Sequence, residues 1–276
     1  MSALTHSIGP AAVREPVHQA SLTRSTLVIA RRTLLRHVRT PQLIVVGIVQ
    51  MLMFFFMYRY LFGGAIHIPG MSYVDFMAPG FIATASLYTG VGTAVAIAED
   101  QNEGFIDRLR SLPMPRSAVL LGRAAADTIL ITGYALFGVG LAFALGFRLH
   151  GSALSALAAL VGVVVFAFAF EWLFVMMGLF ASNGQAAQGM GMIVYPFIFI
   201  SSAYVPVATM PGWLQTFANH QPLTYMVDAV RSLTLGSHSQ ALLGHQDSHY
   251  FLAALLSALL IVAIAMPLAV ARYRRG

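Results

Sequence analysis

Long apolar runs alternate with short polar breaks along this chain. Runs near the roughly 20 residues that a spanning helix needs fall at 42–62, 76–98, 124–146, 154–181, 187–205 and 250–270. They predict six transmembrane helices, the fifth interrupted by Pro196 and Pro206. A further stretch, 206–235, is apolar but broken by Pro211, Gly212, His220 and Pro222. It predicts an outer re-entrant hairpin before the sixth span, because broken backbone persists at membrane depth only where protein or water satisfies it. Ahead of the first span, Leu22, Leu27, Ala30, Leu34 and Val38 recur at helical spacing, with Arg24, Arg31 and Arg39 among them. That pattern predicts a basic amphipathic helix over 21–40 lying in the headgroup plane, stopped by Pro41. The expected organisation is a flexible cytoplasmic N-terminus (1–20), this interfacial helix, and a six-span domain (41–276).

Composition agrees with an all-α integral membrane protein. The chain is 58% hydrophobic and 9% charged, with a mean hydropathy of +0.76, well above soluble domains. The net charge is +6 and every basic residue is Arg. In so apolar a chain this points to arginines anchoring loops at a lipid surface rather than to nucleic acid. Arg14, Arg24, Arg31, Arg32, Arg36 and Arg39 precede the first span, Arg108, Arg110, Arg116 and Arg123 separate spans two and three, and Arg272, Arg274 and Arg275 close the chain. The other side keeps Arg148 and Arg231, plus Arg59, whose stem is expected to snorkel. By the positive-inside rule both termini are cytoplasmic, in a multi-pass protein of the plasma (inner) membrane. The first forty residues have no apolar core of a signal peptide, so no cleavable leader is expected. Without Cys, there is no disulfide, thiol nucleophile or Cys-ligated metal. Without Lys, a P-loop is impossible, because its Lys must reach the nucleotide phosphates.

Charge is concentrated in one place. Between Glu99 and Arg110 stand Glu99, Asp100, Glu103, Asp107, Arg108 and Arg110, flanked on both sides by apolar runs. A helix over 99–112 would put Phe105, Ile106, Leu109 and Leu112 on one face and Glu103, Asp107 and Arg110 on the other. Its acids would lie in the first turns and its arginines near the end, as the helix dipole favours, and Pro113 and Pro115 would end it. The same pattern fits a docking helix and a surface helix that only connects two spans.

Other candidates are weighed by their surroundings. Glu171 lies inside span four between Phe170 and Trp172. Such a carboxyl suits a cationic substrate or a proton relay, and equally a protonated packing residue. Arg123 and Asp127, one turn apart, read as a structural pair. His238, His245 and His249 sit in an outer loop; the last two have metal-ligand spacing but lack the Glu of a zinc-protease motif, so no metal site is assigned. Ser152, Ser155 and Ser182 have no base at readable spacing, so no catalytic residue or bound cofactor is expected. Tyr58, Tyr60, Tyr73, Tyr204, Trp213 and Tyr225 read mostly as an aromatic interface belt. Phe54, Phe55, Phe56, Met57 and Tyr88 suit the wall of an amphiphile path, as well as ordinary packing.

Two long motifs carry a family resemblance. The run Glu103-Gly104-Phe105-Ile106-Asp107-Arg108-Leu109-Arg110-Ser111-Leu112-Pro113-Met114-Pro115, followed by Gly122-Arg123, resembles the signature of type-2 ABC exporter permeases, particularly the daunorubicin-resistance permease group. Ser201-Ser202-Ala203-Tyr204-Val205-Pro206, continuing through Met210–Gln215, Gln221-Pro222-Leu223 and Asp228-Ala229-Val230-Arg231, is similar to that group's outer re-entrant segment. The family's Pro in the first span stands as Met51 here. The resemblance implies a non-catalytic transmembrane subunit of an ATP-driven exporter of an amphipathic drug, lipid or polyketide-like molecule. A separate P-loop ATPase subunit would use ATP and Mg, and a second permease subunit, identical or not, would complete the pore among membrane lipids. It further implies that 99–112 is the coupling helix, with Glu103, Gly104, Phe105, Asp107, Arg108, Leu109 and Arg110 at the ATPase contact. On the same reading Phe54, Met57, Tyr88 and Glu171 belong to the substrate path, and Tyr204, Pro206, Pro211 and Trp213 to an outer gate. The alternative is a proton-coupled secondary transporter using Glu171. That class favours paired broken spans in inverted repeats, which the chain does not display.

Overall fold

The computed structural model describes residues 21–68, 70–111, 113–239, 243 and 247–275; the expected N-terminus 1–20 and His245 lie outside them. Every regular element among the described residues is helical. Five helices are long and apolar enough to cross a membrane, at Pro41–Phe62, Tyr73–Asn102, Arg116–Ala144, Ala153–Phe180 and His249–Arg275.

Helix α1 (Leu22–Arg39) is capped by the Ser21 side chain, which accepts from the Arg24 amide at 3.3 Å. Its last turn carries Arg36, His37 and Arg39, favourable at a helix C-terminus. It buries Ser25, Ile29, Ala30 and Thr33, mainly against α5 (Arg116–Ala144). Gly122 makes that approach possible, since a Cβ there would stand 2.7 Å from Ile29 and from the Thr26 carbonyl. Of the predicted stripe only Ala30 is buried, whereas Leu22, Leu27 and Val38 are exposed together with Val28 and Leu35. Small residues win the helix contact because they let the backbones approach, and the larger ones are left outside.

Helix α2 (Pro41–Met57) begins at the expected proline and runs into a π-helical turn at Tyr58–Phe62. Met51 and Phe55 face the core while Leu43, Val45, Val46, Val49 and Met53 are exposed. Arg59 does not reach outward. It donates to the Leu145 carbonyl, just past α5, and satisfies a helix-end acceptor.

Helix α3 (Tyr73–Asn102) is the central post, packed on α5, α6 (Ala153–Phe180), α7 (Gly184–Met192) and α10 (Pro222–Leu235). Close packing is built from small residues: a Cβ at Gly80 would meet the Ala203 carbonyl oxygen at 2.5 Å, and one at Gly90 the Phe174 ring at 2.0 Å. The expected coupling helix 99–112 is not continuous. α3 continues to Asn102, the chain turns at Gly104 with φ +68°, and α4 (Phe105–Arg110) follows. Glu99 and Asp100 thus close α3, at the dipole end that disfavours acids, instead of opening a new helix.

The expected fifth span, 187–205, is two shorter helices, α7 and α8 (Val194–Ile200), interrupted at Ile193. Pro196 explains the break: it has no N–H for the Met192 carbonyl and its ring clashes there. The pair runs antiparallel to α3. Gly184 lies by Glu99, Gly191 by Val91, and Ala203, beyond α8, by Gly80. Tyr195 contacts Tyr88 at 5.3 Å between ring centroids.

After a short 3₁₀ turn at Val207–Thr209, α9 (Gly212–Asn219) and α10 form the segment expected to be a hairpin. α10 belongs to the core, with Leu223, Met226, Val227, Ala229, Val230 and Leu235 buried against α3, α6 and α11 (Asp247–Arg275). α11 returns to the end of the bundle where α4 lies: Arg116 donates to the Arg274 carbonyl at 3.1 Å, and the Arg110 guanidinium sits 4.8 Å from the centre of the Tyr273 ring.

Candidate functional site

Three places collect the residues singled out by the sequence. The first is the turn into α4, at the arginine-rich end of the bundle. Ile106 is buried, in a cluster with Trp172, Leu179, Ala269 and Tyr273, and Leu109 packs against that cluster. Phe105 is half-buried beneath the guanidinium of Arg32, 4.0 Å from its ring centre. Glu103, Asp107 and Arg108 face solvent. Arg110, expected on the charged face, is tucked under: it bonds Asp107 at 2.8 Å and covers Tyr273, leaving its side chain 15% exposed. The solvent-facing side of this turn is therefore Glu103, Asp107 and Arg108, with Gly104 shaping the turn and Phe105, Ile106, Leu109 and Arg110 set against the bundle. Leu112 is outside the described residues.

The turn is wired inward by charge. Asp100, at the end of α3, bonds Arg123 at 3.1 Å and Arg36 of α1 at 3.5 Å. Arg123 also bonds Asp127 at 3.2 Å, as its i, i+4 spacing suggested, and Asp127 accepts from Thr93 at 3.0 Å. Glu171 lies beside Asp127 and Thr93. It is 1% exposed, and its Oε1 has no hydrogen-bond partner among the described residues.

The second place is a cavity of about 610 Å³ between α1, α2, α3, α5 and the α7–α8 pair. Its ionic end holds Arg36, Asp100, Arg123 and Asp127; its other end holds Phe54, Tyr88 and Tyr195. Phe54 stacks on Tyr88 at 6.0 Å. Of the four expected path residues, Phe54 and Tyr88 line this cavity, Glu171 stands behind Asp127, and Met57 lies off it, partly exposed. The π-helical turn begins directly after Met57.

The third place is the turn at Ser201–Val205. Tyr204 is buried, stacked on Tyr58 at 4.2 Å, with its hydroxyl 3.0 Å from Thr84 and its carbonyl accepting from Tyr73 at 3.1 Å. Trp213 is 76% exposed on α9, and Pro206 and Pro211 flank the 3₁₀ turn between them. The four expected gate residues are thus not one cluster. The aromatic belt divides likewise: Tyr60 and Trp213 are exposed, while Tyr58, Tyr73 and Tyr204 form core contacts.

Arg231, an outer basic residue and the last of the Asp228–Arg231 motif in the sequence, is the clamp of this end. Its side chain is 1% exposed and bonds Asp228 at 2.6 Å, the Ser202 carbonyl at 2.7 Å and the Phe76 carbonyl at 3.1 Å. It also covers the Phe76 ring at 4.1 Å. The signal was its i, i+3 spacing from Asp228 within an apolar segment, where neither charge tolerates burial alone.

Residues 24–235 match the family model described as ABC-2 type transporter. The chain is 31% identical to a daunorubicin resistance ABC transporter permease protein of Streptomyces coeruleorubidus, over 79% of this chain and 78% of that protein. It is 27% identical to a probable doxorubicin resistance ABC transporter permease protein of Mycobacterium tuberculosis, over 76% and 77% of the two chains. A putative transport permease of Pyropia yezoensis is 26% identical over 79% of this chain and 76% of its own. The long apolar helices and these matches have one consequence: the chain belongs to the ABC-2 type transporter family of membrane proteins.

Proposed function

We propose that this chain is the transmembrane subunit of an ATP-driven exporter for a small amphipathic molecule. It pairs with a second permease subunit and is powered by a P-loop ATPase docked at α4. The observation that carries the reading is the division of labour across α4 and the turn before it, where Ile106, Leu109 and Arg110 grip the spans while Glu103, Asp107 and Arg108 face solvent. ATP-driven closure of the ATPase pair would then push α4 and, through Asp100 and Arg123, shift the bundle between two packings.

Six crossings with both termini cytoplasmic are part of this proposal. The α7–α8 pair accompanies α3 from Glu99 to Gly80, a rise of about 28 Å at 1.5 Å per residue, close to a bilayer's hydrocarbon thickness. The contact of Arg116 with Arg274 also supports it, because the chain can return from α4 to that same end only through an even number of crossings. The relatives' names support drug export.

Glu171 supports the rival reading of a proton-coupled transporter, since it is buried with one oxygen unpartnered. Efflux of a fluorescent amphiphile from cells expressing the chain with its ATPase separates the two. The proposal expects efflux to stop on ATP depletion with the proton gradient held; efflux that ignores ATP and stops only with an uncoupler would overturn it.

A further inference from the structure

We propose that His150 and His238 bind one divalent copper ion at the Arg231 end of the bundle, tying the α5–α6 connection to the turn that closes α10. The sequence groups His238 with His245 and His249, yet the chain folds it onto His150, a residue of a different loop. The two imidazoles, both exposed, have ring centres 4.2 Å apart and planes inclined by 40°. Neither ring hydrogen-bonds another described residue, so their nitrogens are open to an ion. Imidazole is a ligand for copper, nickel and zinc, and copper binds most tightly in that series. The chain has no Cys that would compete for it.

The backbone holds both residues in place without an ion. The amides of His150 and Gly151 donate to the Thr234 carbonyl, in the last turn of α10, at 3.1 and 2.9 Å. Gly151 permits that approach, since a Cβ there would stand 2.4 Å from the Leu233 carbonyl oxygen. Gly236 then turns the chain with φ +55° and ψ −130°, a conformation that disfavours any side chain. The 3₁₀ turn Gly236–Ser239 follows and lays His238 over His150. Ser239 fixes that turn by donating to the Gly236 carbonyl at 2.7 Å. The Thr234 hydroxyl in turn reaches the Arg231 carbonyl at 3.3 Å, so a bound ion stiffens the helix that carries the clamp.

Geometry selects the metal. With a metal–nitrogen bond of about 2.1 Å, each ring centre lies about 3.2 Å from a shared ion. A right angle at the ion then separates the ring centres by about 4.5 Å, and a tetrahedral angle by about 5.2 Å. The 4.2 Å between His150 and His238 is near the first value. It suits the cis positions of square-planar or tetragonal copper, with water as the remaining ligands.

The test uses the full chain, free of any histidine tag, in phosphatidylcholine nanodiscs. It involves neither ATP nor the number of crossings, so its outcome is independent of the export reading. Copper(II) is titrated by calorimetry, and the electron paramagnetic resonance of the first equivalent counts its nitrogen ligands. The expected result is one copper per chain with two imidazole nitrogens. His150→Gln and His238→Gln should each weaken binding at least about tenfold and leave a single-nitrogen spectrum. His245→Gln, which breaks the i, i+4 pair visible in the sequence, should change neither affinity nor spectrum. Copper held with the same affinity and two nitrogens in either of the first two variants, loss of the site in His245→Gln instead, or no copper bound by wild type overturns the proposal. A wild-type spectrum with fewer than two nitrogens overturns it whether or not the variants fold.

Discussion

Arg231→Met would leave the Asp228 carboxylate buried without its partner and strip donors from the Ser202 and Phe76 carbonyls. Losing one member of a buried pair costs about 3–5 kcal/mol. Thermal unfolding in detergent should show a large drop for this variant and a partial recovery in Arg231→Met with Asp228→Asn. Two glycines sort the same way by their surroundings. Gly80→Ala places a methyl 2.5 Å from a backbone oxygen and should cost about 1–3 kcal/mol through forced separation of α3 from the Ser201–Val205 turn. Gly104→Ala meets no atom within 4 Å, so its cost is only that of a left-handed φ, about 1–2 kcal/mol. Melting curves for the pair should differ in that order when ATPase is absent.

At the scale of elements, α4 is held by one side. Its grip on α11 runs through Arg110 over Tyr273. Removing that contact with Arg110→Ala should weaken α4 by about 1 kcal/mol, so that amides 105–110 exchange roughly fivefold faster. Arg108→Ala, on the free face, should leave exchange unchanged; equal effects from the two would contradict the one-sided anchoring. What the sequence made legible here was pattern: apolar length for the long helices, the charge cluster, and Pro41 as a boundary. What it concealed was choice among tolerated alternatives. Gly104 is compatible with a continuing helix or with a turn; it turns at φ +68°, and Ile106 docks beneath the bundle. In α1, hydrophobic spacing picked out a stripe of which Ala30 is buried, but it gave no sign that Ser25, Ile29 and Thr33 would be buried as well, with Ile29 opposite Gly122. α10 was hidden for a related reason: Arg231 looks like a surface feature until Asp228 and the Phe76 carbonyl satisfy it, and Pro222 looks like a break although it opens the helix at its first turn.

For the whole molecule the open quantity is how often the chain crosses. It has no Cys, so single cysteines report side directly. With six crossings, Arg108→Cys and Arg274→Cys should react with an impermeant maleimide from one side of sealed vesicles and Trp213→Cys from the other. Labelling of Arg108→Cys and Arg274→Cys from opposite sides would remove α7–α8 as a crossing. The arrangement also separates three features along the bundle: the charged turn into α4 at one end, the Arg231 clamp at the other, and the cavity between them against α3.

The claim that organises all of this is that α4 receives force from an ATPase. Co-purification from native membranes tests it most directly, comparing wild type with Glu103→Arg and Asp107→Arg, each checked for unchanged melting. The account predicts that wild type carries a P-loop polypeptide with ATP-hydrolysing activity, and that both charge reversals lose it while remaining inserted and folded. A P-loop partner retained equally by both variants, with transport intact, would contradict the account.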